Sequence, residues 1–221
     1  MTIVNLIKII VDNKRTIYYY TSRGLTYEEE FVMNKISIKA ICAIGMFAAV
    51  ISVLSILTIP TPWGVPFTLQ TFAVAIAGYV LGRKYGTIAT ILYVLLGLVG
   101  VPVYAGMSAG PGVLFGTSGG YIFGFIIMTF FCGLGIELGI ELGNKKNKIV
   151  FSVLFGLIGL LSCHILGIIQ LKLVLKCTWI EAALWGSVPY LVKDILSVIG
   201  AYLVAVVIKK ALEKANVMQI A

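Results

Sequence analysis

Asp194 stands in the run Pro189-Tyr-Leu-Val-Lys-Asp-Ile195 and is the only aspartate beyond residue 12. An ionised carboxylate at membrane mid-depth costs roughly 2.5–3.5 kcal/mol on insertion scales, so an acid in an apolar run calls for a partner or a ligand. A structural polar contact near the outer interface is the plainer role. Ligand binding is the favoured one, because an ionisable group inside a membrane marks a functional site by default. Lys193 is adjacent, but neighbours on a helix point about 100° apart, so the sequence does not require the two to pair.

Two irregular segments carry further candidates. Pro60-Thr-Pro-Trp-Gly-Val-Pro-Phe-Thr-Leu-Gln70 holds three prolines within seven residues, which forbid regular helix and stiffen the chain. Trp63 offers an apolar face with one N–H donor, and Thr68 and Gln70 offer neutral hydrogen-bonding groups. Between Val101 and Tyr121 lie Gly106, Gly110, Gly112, Gly116, Gly119 and Gly120. Such backbone can approach a ligand closely and present N–H groups. Gly119 and Gly120 fall where a helix would start and its unpaired N–H groups collect. His164, with Gln170 six residues on, reads more readily as a helix–helix hydrogen bond than as a metal ligand. In Gly135-Ile-Glu-Leu-Gly-Ile-Glu-Leu-Gly143 the glycines make a small-residue face, as do Gly116, Gly120 and Gly124. Glu137 and Glu141 are expected to face water or a partner.

These residues must be positioned by membrane helices. Of 221 residues, 60% are hydrophobic and only 12% charged, about half the charge of a soluble domain. A soluble enzyme, a disordered chain and a nucleic-acid module are thereby disfavoured together. The net charge of +8 resides in short basic clusters between apolar runs. A spanning helix needs roughly 20 apolar residues, and six stretches qualify as passes, near 36–59, 67–82, 86–101, 119–142, 149–171 and 188–208. The second and third are short and divided by Arg83–Lys84. Fourteen of the 17 Lys and Arg fall on one side if the N-terminus is inside, leaving Lys172, Lys176 and Lys193. That bias predicts both termini in the cytoplasm. The expected fold is an all-α membrane protein of six transmembrane helices, N-in and C-in, with structured outer loops capping a ligand pocket. Its domain spans 35–210, between an extension at 1–34, which is dispensable or starts afresh at Met33, and a cytoplasmic tail at 211–221. Within the extension an interfacial helix is one reading. Cys42, Cys132, Cys163 and Cys177 form no CxxC pair and read as small buried hydrophobes. No P-loop, HExxH or catalytic triad spacing is present, and no metal or cofactor is expected.

Several motifs in order resemble one family. Ile59-Pro-Thr-Pro-Trp-Gly-Val-Pro-Phe-Thr-Leu-Gln-Thr71, Ala77-Gly-Tyr-Val-Leu-Gly-Arg-Lys-Tyr-Gly86, Leu92-Tyr-Val-Leu-Leu-Gly-Leu-Val-Gly-Val-Pro-Val-Tyr-Ala-Gly106 and Gly116-Thr-Ser-Gly-Gly-Tyr-Ile-Phe-Gly-Phe125 are similar to the biotin-specific S components of energy-coupling factor (ECF) transporters, the BioY family. The resemblance covers residues 35 to 208. It implies a multi-pass protein of the bacterial cytoplasmic membrane that binds biotin, is not an enzyme, and works with a transmembrane T protein and two cytoplasmic ATPases, without nucleic acid. Gly45-Met-Phe-Ala-Ala49 resembles the family's small-residue face for the T protein, with Gly45 in place of the usual Ala. Pro189, Tyr190 and Asp194 match a Pro-aromatic-x-x-x-Asp pattern; Ser197 stands where that pattern often continues with Lys, and Lys193 precedes the acid instead.

For biotin, Asp194 would accept a charge-assisted bond from a ureido N–H. Gly-loop N–H groups, such as those of Gly119 and Gly120, or Gln70 would donate to the ureido carbonyl, with Thr68 nearby. Trp63, Tyr104, Met107 and Tyr121 would wall the thiophane ring and valeryl chain. Lys193, Ser108 or backbone N–H groups would take the carboxylate. Three other readings compete: an S component for another vitamin such as cationic thiamine or riboflavin, an intramembrane enzyme built on Asp194, His164 and Glu181, and a purely structural subunit.

Overall fold

The computed structural model describes residues 37–62, 65–142 and 144–214, and the backbone of 7–9, 17–21 and 24–28. The chain divides into two units, Met1–Ser37 and Ile38–Ala221. The first contains β1 (Ile7–Ile9), β2 (Ile17–Thr21) and β3 (Gly24–Glu28), an antiparallel meander in which Ile9 pairs with Tyr18 and Thr21 with Gly24. The described part of this extension is therefore strand and not interfacial helix. Ile17-Tyr-Tyr-Tyr-Thr21 is β-branched and aromatic throughout, the composition that suits a pleated surface.

The second unit is a helical bundle. Helix α1 (Ile38–Ile56) leads to β4 (Thr58–Ile59) and β5 (Phe67–Thr68), which pair antiparallel and close the proline-rich loop at its base. Then follow α2 (Gln70–Leu98), a 3-10 turn at Ala105–Met107, α3 (Pro111–Leu114), α4 (Gly119–Glu141), α5 (Lys145–Leu175), α6 (Trp179–Gly186) and α7 (Val188–Lys214). Among the described residues four segments are long and apolar enough to cross a membrane: Ile38–Ile56, Gly119–Glu141, Lys146–Leu175 and Val188–Leu212. Their exposed positions are themselves apolar, with Ile41 and Val53 on α1, Leu161 and Ile165 on α5, and Leu196 and Leu203 on α7. No interior demands those side chains, so a lipid solvent accounts for them.

The two short expected passes are the arms of a hairpin. Gly82, at φ 76 and ψ 176, breaks α2 in a region that only glycine occupies readily. The chain then doubles back: Gly86 lies against Ala77 and Gly78, and Gln70 Nε2 donates to Tyr93 Oη at 2.7 Å. An unbroken helix would separate residues 70 and 93 by about 34 Å at 1.5 Å per residue. By the same rise the arms measure about 18 and 24 Å, short of a hydrocarbon core of about 30 Å. Glu137 of α4 holds the turn, accepting from the Arg83 backbone N–H at 2.8 Å and pairing with Arg83 Nε at 2.9 Å. The partner expected for Glu137 is thus within the chain. Gly82→Ala is expected to lower stability by about 1–3 kcal/mol, the cost of a strained residue. Thermal unfolding in detergent measures it, and an unchanged midpoint would mean that the turn does not need its positive φ.

Packing relies on close backbone approach, as expected where lipid removes the hydrophobic drive for helix association. The small-residue faces of α4 meet α5: Gly124 abuts Cys163, Gly135 abuts Phe151 and Ser152, and Gly139 abuts Lys148. Tyrosines fill the space left by glycines of a neighbouring segment and spend their hydroxyls on backbone carbonyls. Tyr79 covers Gly156 and donates to Ser152 O (3.0 Å), Tyr104 covers Gly97 and donates to Val94 O (2.6 Å), and Tyr121 covers Gly167 and donates to Gly186 O (2.6 Å).

Candidate functional site

Three chain segments converge at one end of the bundle: the loop from residue 57 to 69, the loop from 99 to 118, and the α6–α7 corner. Each is tied down from a helix. Tyr190 of α7 donates from its hydroxyl to Val65 O and stacks on Phe67 at 4.4 Å, clamping the proline-rich loop. Gln170 of α5 donates to Leu114 O (2.7 Å) and Gly116 O (2.8 Å), seating the glycine-rich loop. The corner forms because Thr178 and Glu181 make a reciprocal capping box at the start of α6, and Ser187 leaves helical geometry (φ −130, ψ −52) before α7 begins.

Beneath these loops is a cavity of about 250 Å³. Thr68, Gln70, Tyr104, Ser108, Tyr121, Lys193 and Asp194 line it, seven of the eleven ligand residues expected from sequence. Asp194 is 4% exposed. Its Oδ1 lies 2.6 Å from Lys193 Nζ yet receives no aligned hydrogen bond. Lys193 also donates to Thr68 O at 2.9 Å, so the adjacent acid and base do pair, the long lysine stem curling back along the helix. Gln70 accepts from Thr68 Oγ1 at 2.9 Å and gives one amide hydrogen to Tyr93, which leaves its second for a ligand. Ser108 donates to Ala105 O at 2.8 Å. Burial pushes the Tyr104 phenol up to about 12, so it stays neutral.

Four expected residues are elsewhere. Trp63 lies outside the described residues. Met107 is 66% exposed at the loop surface with φ 60. Gly119 and Gly120 are buried but do not line the cavity: Gly119 N donates to Gly116 O, and a Cβ at either position would overlap Leu114 O or Leu166 O. Close packing, not ligand contact, accounts for these two glycines.

His164 is absent from the ligand residues expected from sequence, where it reads as a helix–helix hydrogen bond or as part of the competing enzyme site with Asp194 and Glu181; the structure puts it on the cavity wall. Nδ1 lies 2.9 Å from Ser187 Oγ and Nε2 3.4 Å from Asp194 Oδ2. A lone polar residue deep in an apolar helix was the available signal. Tyr190, Phe125, Ile122 and Leu160 complete the apolar wall. Glu181 sits apart, its carboxyl held below the usual range by the Thr178 backbone N–H, with the Thr178 hydroxyl adding to it. Among the described residues no group of three or more His, Cys, Asp or Glu is arranged for a metal.

A buried carboxylate paired with an ammonium, a spare amide donor and aromatic walls make a site for a small ligand carrying polar groups at more than one end. The architecture is that of a multi-pass membrane protein with such a site between its loops and helices. The BioY family model matches residues 29–214, and the chain belongs to the BioY family. It is 40% identical over 166 residues to the biotin transporter BioY of Thermotoga maritima, covering 75% of this chain and 93% of that one. It is 31% identical over 184 residues to the biotin transporter BioY2 of Lactococcus lactis subsp. cremoris, covering 83% and 97%. The crystal structure of the S-component for biotin from an ECF-type ABC transporter superposes with a TM-score of 0.69 at 25% identity, covering 81% of this chain and 95% of that chain.

Proposed function

We propose that this chain is the substrate-binding S component of an ECF-type importer in the cytoplasmic membrane and that its ligand is biotin. The observation that carries the ligand is buried Asp194 on the cavity wall, its Oδ1 met by Lys193 Nζ and by no other hydrogen-bond donor, in a chain of this family. A ureido ring brings two N–H donors and one carbonyl. Asp194 Oδ1 takes an N–H in a charge-assisted bond, and the spare Gln70 N–H serves the carbonyl. Tyr104, Tyr121 and Phe125 flank the apolar body. Lys193 and Ser108 are the side-chain candidates for the carboxylate; Lys193 turns to it by giving up Thr68 O.

Topology completes the reading. With the two short arms of the α2 hairpin read as passes across a locally thinned bilayer, beside the four long helices, the count is six, with both termini on the cytoplasmic side by the placement of basic residues. Residues 35–210 form the transport domain, with 1–34 a dispensable extension and 211–221 a tail. The chain is not itself an enzyme: a T protein docks along Gly45 and Ala49 of α1, and two ATPases supply the energy. Both residues are exposed, and a Cβ on Gly45 would meet nothing within 4 Å, which supports an external role for this strip.

The competing ligands and chemistries fare less well. Cationic thiamine suits an uncompensated acid, whereas Lys193 already neutralises Asp194 at 2.6 Å. The cavity does hold titratable groups within hydrogen-bond reach, but Glu181 caps α6 away from it, so the trio of Asp194, His164 and Glu181 that the enzyme reading needs is not brought together. Calorimetry of purified protein against biotin, thiamine and riboflavin tests the assignment. Asp194→Ala is expected to weaken biotin by about 1.5–3 kcal/mol, the worth of a hydrogen bond to a charged group. Tight thiamine binding without a biotin response would overturn the ligand, and unchanged biotin affinity in folded mutant would remove Asp194 from the site.

A further inference from the structure

We propose that the ligand site continues sideways into a lipid-facing groove between α2 and α7, so that the protein also takes biotin derivatives extended at the carboxyl by an apolar chain. This rests on the biotin reading, with the carboxyl end of the ligand at Lys193, and names a further substrate class for the same site. The groove, of about 590 Å³, is walled by Phe72 of α2 and by Pro189, Val192, Lys193, Leu196 and Ser197 of α7. Among the described residues Lys193 alone lines both this groove and the ligand cavity.

Helix geometry accounts for the double contact. The five α7 residues recur at i, i+3, i+4, i+7 and i+8, which is one face of a helix. Tyr190, Asp194, Val198 and Ala201 are buried and make the neighbouring face, turned to the bundle interior. Lys193 therefore starts on the groove side and ends on the cavity side, where Nζ meets Asp194 Oδ1 at 2.6 Å and Thr68 O at 2.9 Å. Its stem joins the two spaces, and a chain attached to the ligand carboxyl has the same route outward. Helix α2 divides in the same way: Gln70 and Thr71 line the cavity, and Phe72, next in sequence, lines the groove. The Phe72 ring leans on α7 about one turn beyond Ser197, since a Cβ on Gly200 would meet it at 3.7 Å, and it bounds the groove there.

The lining decides the chemistry of the extension. Val192 and Leu196 are 72% and 63% exposed on a helix long and apolar enough to cross a membrane, so the groove opens to lipid. Apart from Lys193, whose ammonium is engaged in the cavity, the one polar side chain in the lining is Ser197, which is also the smallest of the six. An unbranched alkyl chain suits these surroundings. A chain ending in a charge does not, because no free counter-charge lines the groove and an unpaired charge in an apolar setting is costly.

A chain-length series tests this by calorimetry on the purified protein, against biotin, biotin methylamide, biotin butylamide and the aminobutyl amide of biotin. Both neutral amides lack the carboxylate charge and bind more weakly than biotin, so the ratio between them is the quantity read. A buried methylene is worth about fourfold in affinity, and a groove open on one side returns part of that, so butylamide is expected to bind about tenfold more tightly than methylamide. The aminobutyl amide should gain nothing over methylamide. Ser197→Phe and Val192→Phe each put a ring into the groove and should bring the butyl-to-methyl ratio to about one, with biotin affinity within about twofold of wild type because neither residue lines the cavity. Val192 is exposed, so its variant decides the matter even where Ser197→Phe fails to fold. A wild-type ratio near one overturns the groove, as does an equal gain for the aminobutyl amide. A ratio that survives Val192→Phe overturns it too, and means partition into detergent or lipid only. Biotin bound with neither amide bound means that the carboxyl end is closed off from the groove, which also overturns it. Absence of biotin binding overturns instead the functional reading on which this rests.

Discussion

Gly97→Leu is expected to lower biotin affinity on the order of 100-fold, through a residue that does not line the cavity. Any Cβ at position 97 overlaps the Tyr104 ring. That ring has nowhere to retreat. It is fully buried, its hydroxyl donates to Val94 O at 2.6 Å, and its backbone N–H is tied to Ser108 O at 3.0 Å. Its edge meets Tyr93 at 5.6 Å, and Tyr93 in turn receives the Gln70 amide. The Gly97 carbonyl also accepts from Gly110, so the glycine-rich loop hangs on the same residue. Displacing Tyr104 therefore disturbs a cavity wall, the proposed carbonyl donor and the seat of the loop together. Overpacking of a tight core costs up to about 3 kcal/mol, which is the basis of the 100-fold figure. Gly45→Leu is the matched control, since the same change on α1 meets open space and should leave binding alone. In a Gly97→Ala background, Tyr104→Ala should recover thermal stability but not affinity, because it relieves the overlap and removes the wall. Wild-type affinity in folded Gly97→Leu would show that Tyr104 does not shape the site.

What was legible in the sequence follows from how local each feature is. Asp194 stood out because one acid in an apolar run is expensive wherever the run folds. The break between the second and third passes was legible from Arg83–Lys84, though its cause is the neighbouring Gly82, whose positive φ no spacing reveals. The proline-rich loop declared itself through residues that cannot be helical. Gly119 and Gly120 show the limit of such reasoning. A glycine admits close approach by a ligand or by another helix, and sequence does not say which; here α5 and the preceding loop occupy the space. His164, Ser187 and Asp194 come from the middle of α5, the corner after α6 and the first turns of α7. His164 on α5 stands 23 residues before Ser187 of the corner, a separation that no local period links, so the packing of α5 against the corner and α7 is what reveals the cluster. The pairing of Lys193 with Asp194 is left open by sequence for a related reason: backbone direction sets the two Cβ atoms apart, but a four-carbon stem spans that angle.

Replacing Gly45 or Ala49 with Trp is expected to abolish ATP-driven biotin uptake while leaving biotin affinity within about twofold of wild type. The two residues lie four apart and share one strip of α1 with Cys42, and all three are exposed. The opposite face of the helix carries the packing, with Ile44, Phe47, Ala48 and Ile51 buried. A bulky side chain on the strip therefore has no internal neighbour to displace, and a Cβ at Gly45 meets nothing within 4 Å. A second helix can lie close along it only while its side chains stay small, since helix association in lipid depends on van der Waals fit. An indole introduced here pushes such a helix away by several ångströms, enough to forfeit most of the dispersion contact along the seam. None of the cavity-lining side chains belongs to α1, so the ligand site is insulated from the change. Binding is read by calorimetry on the purified variant, docking by co-purification with the T protein and ATPases, and uptake in reconstituted vesicles. Aggregation or loss of biotin binding would mean that the strip packs within the chain's own fold. Normal binding together with intact co-purification and uptake would move the docking face to another helix.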